Sequence, residues 1–413
     1  MIALPTAPSP SLATFRSSER VALGTSRITL ALCKSQVITT LLLSRFAIPL
    51  GGDRQIPVSF VTGLAHFAAI AVLTGGMFST RRLAATLGAI AVVLLETLLV
   101  HKHFSALSAA YIFGIYAPLV LSTSLDPTVN AKPLWRSFVT MASFLGILSL
   151  VQIAVQLLHP GVFVDPISLV PERFLLANYN TTYPVLRGVI DLLKPNGMFT
   201  LEPSIVSQVL GIALLGELAF FRRTAVITLL FAALLSTFSG TGLMIVLGSL
   251  LFLSRPRTIL GVVLLACAAA AAIGASGYGE AFVSRMSELS EPGTSGHERF
   301  VAPFSAIGSQ QGESPRTVLF GHGAGQVTKI DNGLDANYSA VPKVALEYGL
   351  VGLAAFAAMW LAMFQGLGLP RTLVVALLLY YFMASGALLQ PFTVFSMWGL
   401  SLGFAQRPRP ESS

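Results

Sequence analysis

The segment KPNGMFTLEPSIVSQVLGIALLGELAF, residues 194–220, decides the fold because a polar lead-in passes directly into a long apolar run. About 20 mostly apolar residues are enough for a helix to cross the hydrocarbon core of a bilayer. Pro203 suits the first turn of such a helix, where its missing N–H costs no hydrogen bond. We therefore predict that a membrane-spanning helix begins at this proline.

The rest of the chain repeats this pattern. Hydrophobic residues make up 54% of the 413 residues and charged residues only 11%, whereas about a quarter of the residues in soluble domains are charged. Two polar stretches, roughly residues 160–200 and 279–341, interrupt the apolar sequence. We predict an all-α, polytopic transmembrane helical bundle of about 12 spans in a single domain.

The predicted spans lie between basic residues and polar turns. They cover residues 28–50, 58–79, 83–100, 104–124, 137–158, 201–221, 224–238, 241–254, 258–276, 342–364, 372–389 and 392–405. The short seventh and eighth spans are joined by Ser239-Gly240-Thr241-Gly242, whose glycines and small hydroxyls favour a tight turn. The bundle is predicted over residues 28–405, with loops at 159–200 and 279–341 and with terminal tails 1–27 and 406–413.

The net charge of +8 reflects membrane topology rather than nucleic-acid binding. The Lys and Arg residues cluster at the ends of apolar runs, as expected when they fix the orientation of a chain in a membrane. These clusters are Arg16 to Arg27, Arg81-Arg82, Lys132 to Arg136, Arg222-Arg223, Arg255 to Arg257, Arg371 and Arg407 to Arg409. An even number of spans then places both termini in the cytoplasm and both long loops outside it.

Charged groups inside a predicted span are costly in lipid and call for partners. Lys34 and Arg45 share a helix face that could meet two lipid phosphates. In the alternative interpretation, this weakly hydrophobic first span is misplaced, or both side chains snorkel to its ends. Glu217 lies about one turn from Arg222 and is predicted to pair with it. Cys33 and Cys267 fall in apolar runs without the spacing of a metal site, so we predict packing roles for both.

The first long loop carries cations upstream of the helix start at Pro203. The free amides of a helix N-terminus attract phosphate, and a guanidinium binds phosphate oxygens in a forked geometry that lysine cannot copy. Arg187 and Lys194 are therefore predicted to bind an anionic group near this helix start. In the alternative interpretation, Glu202 only caps the helix and the cations are interfacial anchors.

The second long loop is predicted to form short helices over the membrane surface. It contains Gly296-His297-Glu298-Arg299 and Phe320-Gly321-His322-Gly323-Ala324-Gly325. The glycines on both sides of His322 would let the backbone approach a ligand closely. The pattern follows no predicted strand, so it is not a nucleotide-binding loop. His297 and His322 are either catalytic bases or ordinary loop histidines.

Taken in order, these motifs resemble the O-antigen polymerase and ligase superfamily. The resemblance covers roughly residues 185–355. Its elements are Asn-Gly-x-Phe-x-x-Glu-Pro-Ser at 196–204, Ser-Gly-Thr-Gly at 239–242, Ser295-Gly296-x-x-Arg299, Phe320-Gly321-x-Gly323, Asn337-Tyr338, and Glu347-x-Gly349-Leu350-x-Gly352.

The resemblance implies an integral-membrane glycosyltransferase of GT-C-like architecture in the bacterial inner membrane. Its donor would be an oligosaccharide on undecaprenyl diphosphate. A polymerase moves the growing chain onto the next lipid-linked repeat, giving O-antigen, capsule or exopolysaccharide, whereas a ligase moves it onto the lipid A core. Further partners would be membrane lipids and a flippase and chain-length regulator of the same pathway, with no nucleic acid.

Two departures from the family patterns bear on the subfamily. The late loop reads Ala336-Asn337-Tyr338-Ser339 and lacks the histidine typical of family ligases, which favours a polymerase. The turn at 239–242 lacks the arginine often present in polymerases.

The chemistry of such a transfer assigns roles to the loop residues. Cations and helix amides stabilise the departing diphosphate without a metal, and we predict Arg187, Lys194 and Arg299 for this role. A carboxylate or imidazole must take the proton of the attacking hydroxyl, and the candidates are Glu202, Glu298 and His322. Asn337 and Tyr338 are predicted to contact the glycan. The chain has no DxD or clustered Asp/His pattern, so we expect no metal and no cofactor.

Two other function classes compete with the enzyme. A secondary transporter or lipid flippase would explain the number of spans and would predict internal repeats with broken helices at matching places. A non-catalytic assembly partner of a glycan export complex would need no site at all. Formation of new glycosidic bonds distinguishes the enzyme from both.

Overall fold

The computed structural model describes residues 12–51, 54–74, 80–100, 104–120, 132–177, 179, 181–186, 190–252, 260, 267, 271, 291–292, 294–309, 314–327, 337–365, 368–383 and 387–402. These ranges contain fourteen α-helices and two antiparallel two-stranded sheets. The prediction of an all-α fold is confirmed at this level. The predicted ninth span, 258–276, falls almost entirely outside the described residues.

The helices are α1 Leu12–Leu42, α2 Val58–Thr74, α3 Thr80–Leu95, α4 Ala106–Tyr116, α5 Lys132–Leu158, α6 Pro203–Phe220, α7 Thr224–Ser236, α8 Gly240–Leu250, α9 Ser295–Phe300, α10 Ala302–Ser309, α11 Pro315–Phe320, α12 Ala340–Phe364, α13 Arg371–Met383 and α14 Pro391–Leu402. A π-helical turn, Glu96–Val100, extends α3. The strands are β1 Ala47–Gly51, paired with β2 Arg54–Pro57, and β3 Pro184–Leu186, paired with β4 Ile190–Leu193.

Three described helices are long and apolar enough to cross a membrane by length and composition, namely α5, α6 and α12. Shorter apolar helices cover most of α2 and all of α4, α7, α8 and α13. The chain turns between the seventh and eighth spans as predicted, but the turn lies at residues 237–239, because Gly240, Thr241 and Gly242 already belong to α8.

The first predicted span, 28–50, was wrong at both ends. Helix α1 begins at Leu12, inside the predicted tail, because no proline interrupts residues 12–42. It ends at Leu42, and the β1–β2 hairpin follows because Pro49 and Gly51 disfavour a continued helix. Gly51 has a φ of +98°.

Helix α6 lies at the centre of the bundle, and its side chains are buried from Pro203 through Glu217. Small residues let its neighbours come close, as is common where helices pack without a strong hydrophobic driving force. The amide of Gly242 on α8 donates a hydrogen bond to Ser207 Oγ at 3.0 Å. On the other side, the Trp135 ring of α5 packs over Gly216. Cys33 lies in the core as predicted, whereas Cys267 is exposed.

Contacts between distant segments show that the long loops meet at one end of the bundle, which we call the loop end. Ser44 Oγ donates to the Phe199 carbonyl at 3.1 Å, and Thr241 Oγ1 donates to the Ser204 carbonyl at 3.2 Å. The Ser105 amide donates to the Ala324 carbonyl at 2.9 Å. Residues 44, 199, 204 and 241 thus lie close together and residues 105 and 324 form a second contact, while an ion pair between residues 202 and 299 joins the two loops.

The opposite end carries basic residues. The Glu217 carboxylate pairs there with Arg223 at 2.8 Å, so the prediction that it pairs with Arg222 was wrong by one residue. The cause is the backbone at Arg222, which has a φ of +59° and directs its own amide to the Glu217 carbonyl. The hydrogen bonds that the Arg223 guanidinium donates to Glu217 raise its pKa, whereas burial lowers it.

Candidate functional site

The lead-in to α6 is held by Gln152, which lies on α5 and is fully buried. Its Oε1 accepts hydrogen bonds from the amides of Asn196 at 3.1 Å and Gly197 at 3.0 Å. Its Nε2 donates to Asn196 Oδ1 at 3.0 Å and to the Val164 carbonyl at 2.9 Å. A single amide side chain thereby ties both ends of the first long loop to a helix that can span the membrane.

A second anchor of this loop is the ion pair between Arg45 and Asp165. The two Nη atoms of Arg45 donate to the two carboxylate oxygens at 2.7 and 2.9 Å, in the forked geometry of a strong pair. Arg45 Nη1 also donates to the Met198 carbonyl at 2.6 Å. Because α1 ends at Leu42, Arg45 lies outside the first helix, which agrees with the alternative that the first span was misplaced and not with a lipid-phosphate contact inside a span.

Helix α6 begins at Pro203, as predicted, with Glu202 in the N-cap position. The Glu202 side chain makes no capping hydrogen bond to the helix backbone. Its carboxylate instead forms an ion pair with Arg299 and accepts a hydrogen bond from Ser204 Oγ at 2.9 Å. The structure therefore does not support the alternative in which this carboxylate only caps the helix.

Arg299 reaches this carboxylate from the short helix α9 of the second long loop. Thr294 caps that helix by accepting the His297 amide, and the Asn337 amide donates to the Glu298 carbonyl at 2.8 Å. The Arg299 side chain is 10% exposed and the Glu202 side chain 8%. The Nε of Arg299 is buried and has no hydrogen-bond partner, which leaves one donor of the guanidinium for an additional acceptor.

Two tyrosines that the sequence analysis did not single out stand beside this ion pair. The Tyr179 hydroxyl accepts a hydrogen bond from Gln390 Nε2 at 3.1 Å, which brings the start of α14 to the site. Burial raises the pKa of Tyr179, the hydrogen bond from Gln390 lowers it, and the charge of Glu202 raises it further.

The pKa of Tyr183 is raised as well, first by burial and then by the charge of Glu202. The charge of Arg299 lowers this pKa and that of Glu298 raises it. Glu202, Glu298, Arg299 and Tyr183 are thus close enough to interact electrostatically. The sequence signal that could have identified the tyrosines is the occurrence of aromatic residues in a polar loop beside an anionic centre.

Lys194 is also brought into this neighbourhood. It is buried, its amide donates to the Tyr183 carbonyl at 2.7 Å, and its ammonium group lies 5.9 Å from the Tyr183 ring centre. The β3–β4 pairing sets this position. Arg187, the other predicted cation of this loop, lies outside the described residues.

His322 belongs to a segment that is anchored on α12. Its amide donates to the Leu346 carbonyl at 2.9 Å, and the Gly323 amide donates to the Glu347 carbonyl at 2.8 Å. The segment passes so close to α12 that a Cβ on Gly321, whose φ is +70°, would meet the Glu347 backbone. Gly321 therefore lets the backbone of this loop pack closely on the backbone of α12. The sequence had instead suggested that glycine here lets the backbone approach a ligand. A catalytic role for His322 stays a prediction.

Asn337 and Tyr338 lie where the second loop enters α12. The Tyr338 ring is buried in a small apolar cluster with Ala306, Val327 and Leu346. Asn337 is half-buried next to Glu298, whose carbonyl accepts its amide. Contact of these two residues with a glycan stays a prediction.

Glu202, Arg299, Tyr183, Lys194 and Glu298 form the candidate site. Neither the protein-family models nor the curated proteins compared with this chain match it. The functional argument therefore depends on this geometry: a buried carboxylate–guanidinium pair, a buried lysine and two tyrosines at the loop end of a largely apolar helical bundle.

Proposed function

We propose that this protein is an integral-membrane glycosyltransferase of the O-antigen polymerase and ligase superfamily, and that it acts as the polymerase. It would join undecaprenyl-diphosphate-linked oligosaccharide repeats into O-antigen, capsule or exopolysaccharide. The observation that carries the proposal is the buried ion pair of Glu202 and Arg299, because it joins the two loops that hold the family-like motifs.

The membrane arrangement is part of the same proposal. About 12 spans in the bacterial inner membrane, with both termini cytoplasmic, would place the loop end at the outer leaflet. The basic end, with Arg81, Arg136 and Arg223, would then face the cytoplasm, as the positive-inside rule requires. Three helices long and apolar enough to cross a membrane support it.

Cations at the site fit a diphosphate leaving group. The unpartnered Nε of Arg299 offers a donor to a phosphate oxygen, and the Lys194 ammonium lies over the neighbouring Tyr183 ring. Charge that develops on the departing diphosphate would be stabilised by these groups in a site with little water, where electrostatic interactions are strong.

The transfer itself needs one bond to break and one to form at the anomeric carbon. In the proposed reaction, the acceptor hydroxyl oxygen attacks that carbon as its bond to the diphosphate oxygen breaks. The hydroxyl proton passes to a carboxylate, and the lipid diphosphate leaves with the bonding electrons. When Arg299 turns to the diphosphate, Glu202 is released from the ion pair and can accept the proton; Glu298 is the second candidate base.

The test is reconstitution of the purified protein in proteoliposomes with lipid-linked repeat units. The expected product is a ladder of longer lipid-linked glycans, whose formation Arg299→Ala slows by about 10²–10³-fold and the exposed-site variant Arg316→Ala leaves unchanged. A single transfer to lipid A core would indicate a ligase, and movement of the lipid without new bonds would indicate a transporter; either result contradicts the polymerase. Activity that excess chelator removes and added Mg²⁺ or Mn²⁺ restores would contradict metal-independent transfer.

A further inference from the structure

The second half of α5, from Phe144 to Leu158, has an exposed apolar face. Phe144, Ile147, Val151 and Leu158 are exposed and recur at the spacing of a single helix face. Since α5 is long and apolar enough to span a bilayer, this face would lie against lipid.

Exposed apolar side chains continue beyond the end of α5 and into the neighbouring hairpin. Leu169 is 87% exposed, and Val162 and Phe174 are also exposed. In the hairpin, Leu50 is 59% exposed and Ile48 is exposed as well. If these loop residues faced only water, a large exposed apolar area would have no apolar surface to pack against.

These segments form one surface, which we call the collar: residues 46–51 and 54–57 together with residues 162–177. The ion pair of Arg45 and Asp165 joins its two halves at the base. Gln55 Nε2 donates to the Leu175 carbonyl at 3.0 Å, and Gln55 Oε1 accepts the Ala177 amide at 2.9 Å. An isolated β-bridge between Phe46 and Leu175 completes the connection.

The charges of the collar fit an anionic lipid headgroup layer. Arg54 and Arg173 are exposed and outnumber Glu172, the exposed acid among the described collar residues. The Arg173 guanidinium lies 4.8 Å from the centre of the exposed Phe174 ring. An aromatic or aliphatic body with a cationic tip is the combination found at membrane–water interfaces. Basic groups near an anionic membrane surface strengthen binding to that surface.

We propose that the collar lies in the outer-leaflet interface, with Leu50 and Leu169 at the boundary of headgroups and acyl chains and with Arg54 and Arg173 at lipid phosphates. The surface is continuous with the exposed face of α5, so one partner, the bilayer, covers both. This inference rests on the proposed membrane-spanning arrangement but not on the glycosyltransferase activity.

The experiment uses fluorescence quenching by brominated lipids in nanodiscs that contain phosphatidylglycerol. The native tryptophans Trp135, Trp360 and Trp398 are fully buried and give the background. Tryptophan is introduced in Leu169→Trp, in the independent collar variant Leu50→Trp, in the lipid-facing control Ile147→Trp and in the polar exposed control Ser305→Trp. We expect lipids brominated near the headgroup to quench the fluorescence of the tryptophan added in both collar variants. This quenching should be at least half as strong as the quenching of Ile147→Trp by lipids brominated deep in the acyl chains.

The collar proposal is overturned if both collar variants behave like Ser305→Trp and are quenched by aqueous iodide instead, while Ile147→Trp is quenched by lipid. Resistance to both quenchers would show that protein covers the collar, which also overturns the proposal. If Ile147→Trp itself is not quenched by lipid, the membrane-spanning arrangement fails, and the collar proposal fails with it. None of these readouts requires glycosyltransferase activity.

Discussion

Glu202 and Arg299 lie 97 residues apart in the chain and form an ion pair in which each side chain is no more than 10% exposed. One partner precedes the central helix α6 and the other lies on a short helix of the second long loop. A buried pair of this kind is costly to break, because the remaining charge stays buried without its ion-pair partner. The position of this ion pair at the loop end fits a role in the proposed reaction as well as in folding.

Replacement of either member of this pair should reduce both stability and activity. We expect Arg299→Ala and Glu202→Ala each to lower the free energy of unfolding by about 3–5 kcal/mol, and the double variant to lose less than the sum. We expect Arg299→Ala to lower the rate of glycan transfer by about 10²–10³-fold. Arg299→Lys keeps the positive charge but loses the forked geometry of the guanidinium, so its rate should fall less than that of Arg299→Ala. Thermal unfolding in detergent and the polymerisation assay provide the two measurements. Additive losses in the double variant would contradict the pairing.

The Arg45–Asp165 pair should be a structural anchor without a role in the reaction. Asp165→Ala leaves a buried guanidinium unpaired, and we expect a loss of about 3–5 kcal/mol in unfolding free energy. The nearby exposed Glu172 supplies the control, since Glu172→Ala should change stability by no more than about 0.5 kcal/mol. Equal denaturation midpoints for the two variants would show that the pair contributes nothing.

Gln152 should be required to hold the lead-in to α6. Gln152→Leu removes the acceptor of two buried amides and should cost about 1–3 kcal/mol per unsatisfied group. Gln152→Glu keeps that acceptor but places a carboxyl group in a fully buried position facing Asn196 Oδ1 and the Val164 carbonyl, so it should be destabilising as well. Thermal unfolding measures both variants, and a leucine variant as stable as the unaltered protein would refute the assignment of the hydrogen bonds.

Gly321 should not tolerate a side chain. Gly321→Ala places a Cβ against the Glu347 backbone at a φ of +70°, where strain alone costs about 1–3 kcal/mol. The matched control is Gly308→Ala in α10, where a Cβ meets no atom within 4 Å and a gain of about 0.4–1 kcal/mol is expected. Chemical denaturation of the two variants compares them directly, and similar midpoints would argue against the backbone packing described for this loop.

Alkaline pH should destabilise the protein partly through Tyr179. Burial raises its pKa above the ordinary value of about 10, so the folded state retains the phenolic proton more strongly than the unfolded state. The stabilisation is fully present below about pH 10 and is lost as pH rises through the raised pKa. We expect the melting temperature of Tyr179→Phe to fall less steeply above about pH 10 than that of the unaltered protein. Identical pH profiles would show that Tyr179 ionises equally in both states.

The sequence predicted much of the helical framework because its signals are local. An apolar run long enough to span a bilayer, with Pro203 at its start, identifies α6 without knowledge of any other segment. The glycines and hydroxyls of residues 239–242 likewise indicate a break between α7 and α8, although the turn itself lies at residues 237–239 and α8 already begins at Gly240. The end of α1 was missed because the hydrophobicity of residues 43–50 alone does not distinguish a helix from a short hairpin.

The sequence by itself determined an apolar, helical protein with its reactive residues in two long loops. Only the tertiary structure decided that Arg299 meets Glu202, that Arg45 pairs with Asp165, and that Tyr179 and Tyr183 stand beside the site. Composition and periodicity report how each segment partitions between water and an apolar phase. Pairings between residues far apart in the chain depend instead on how the helices pack and where the loops between them meet.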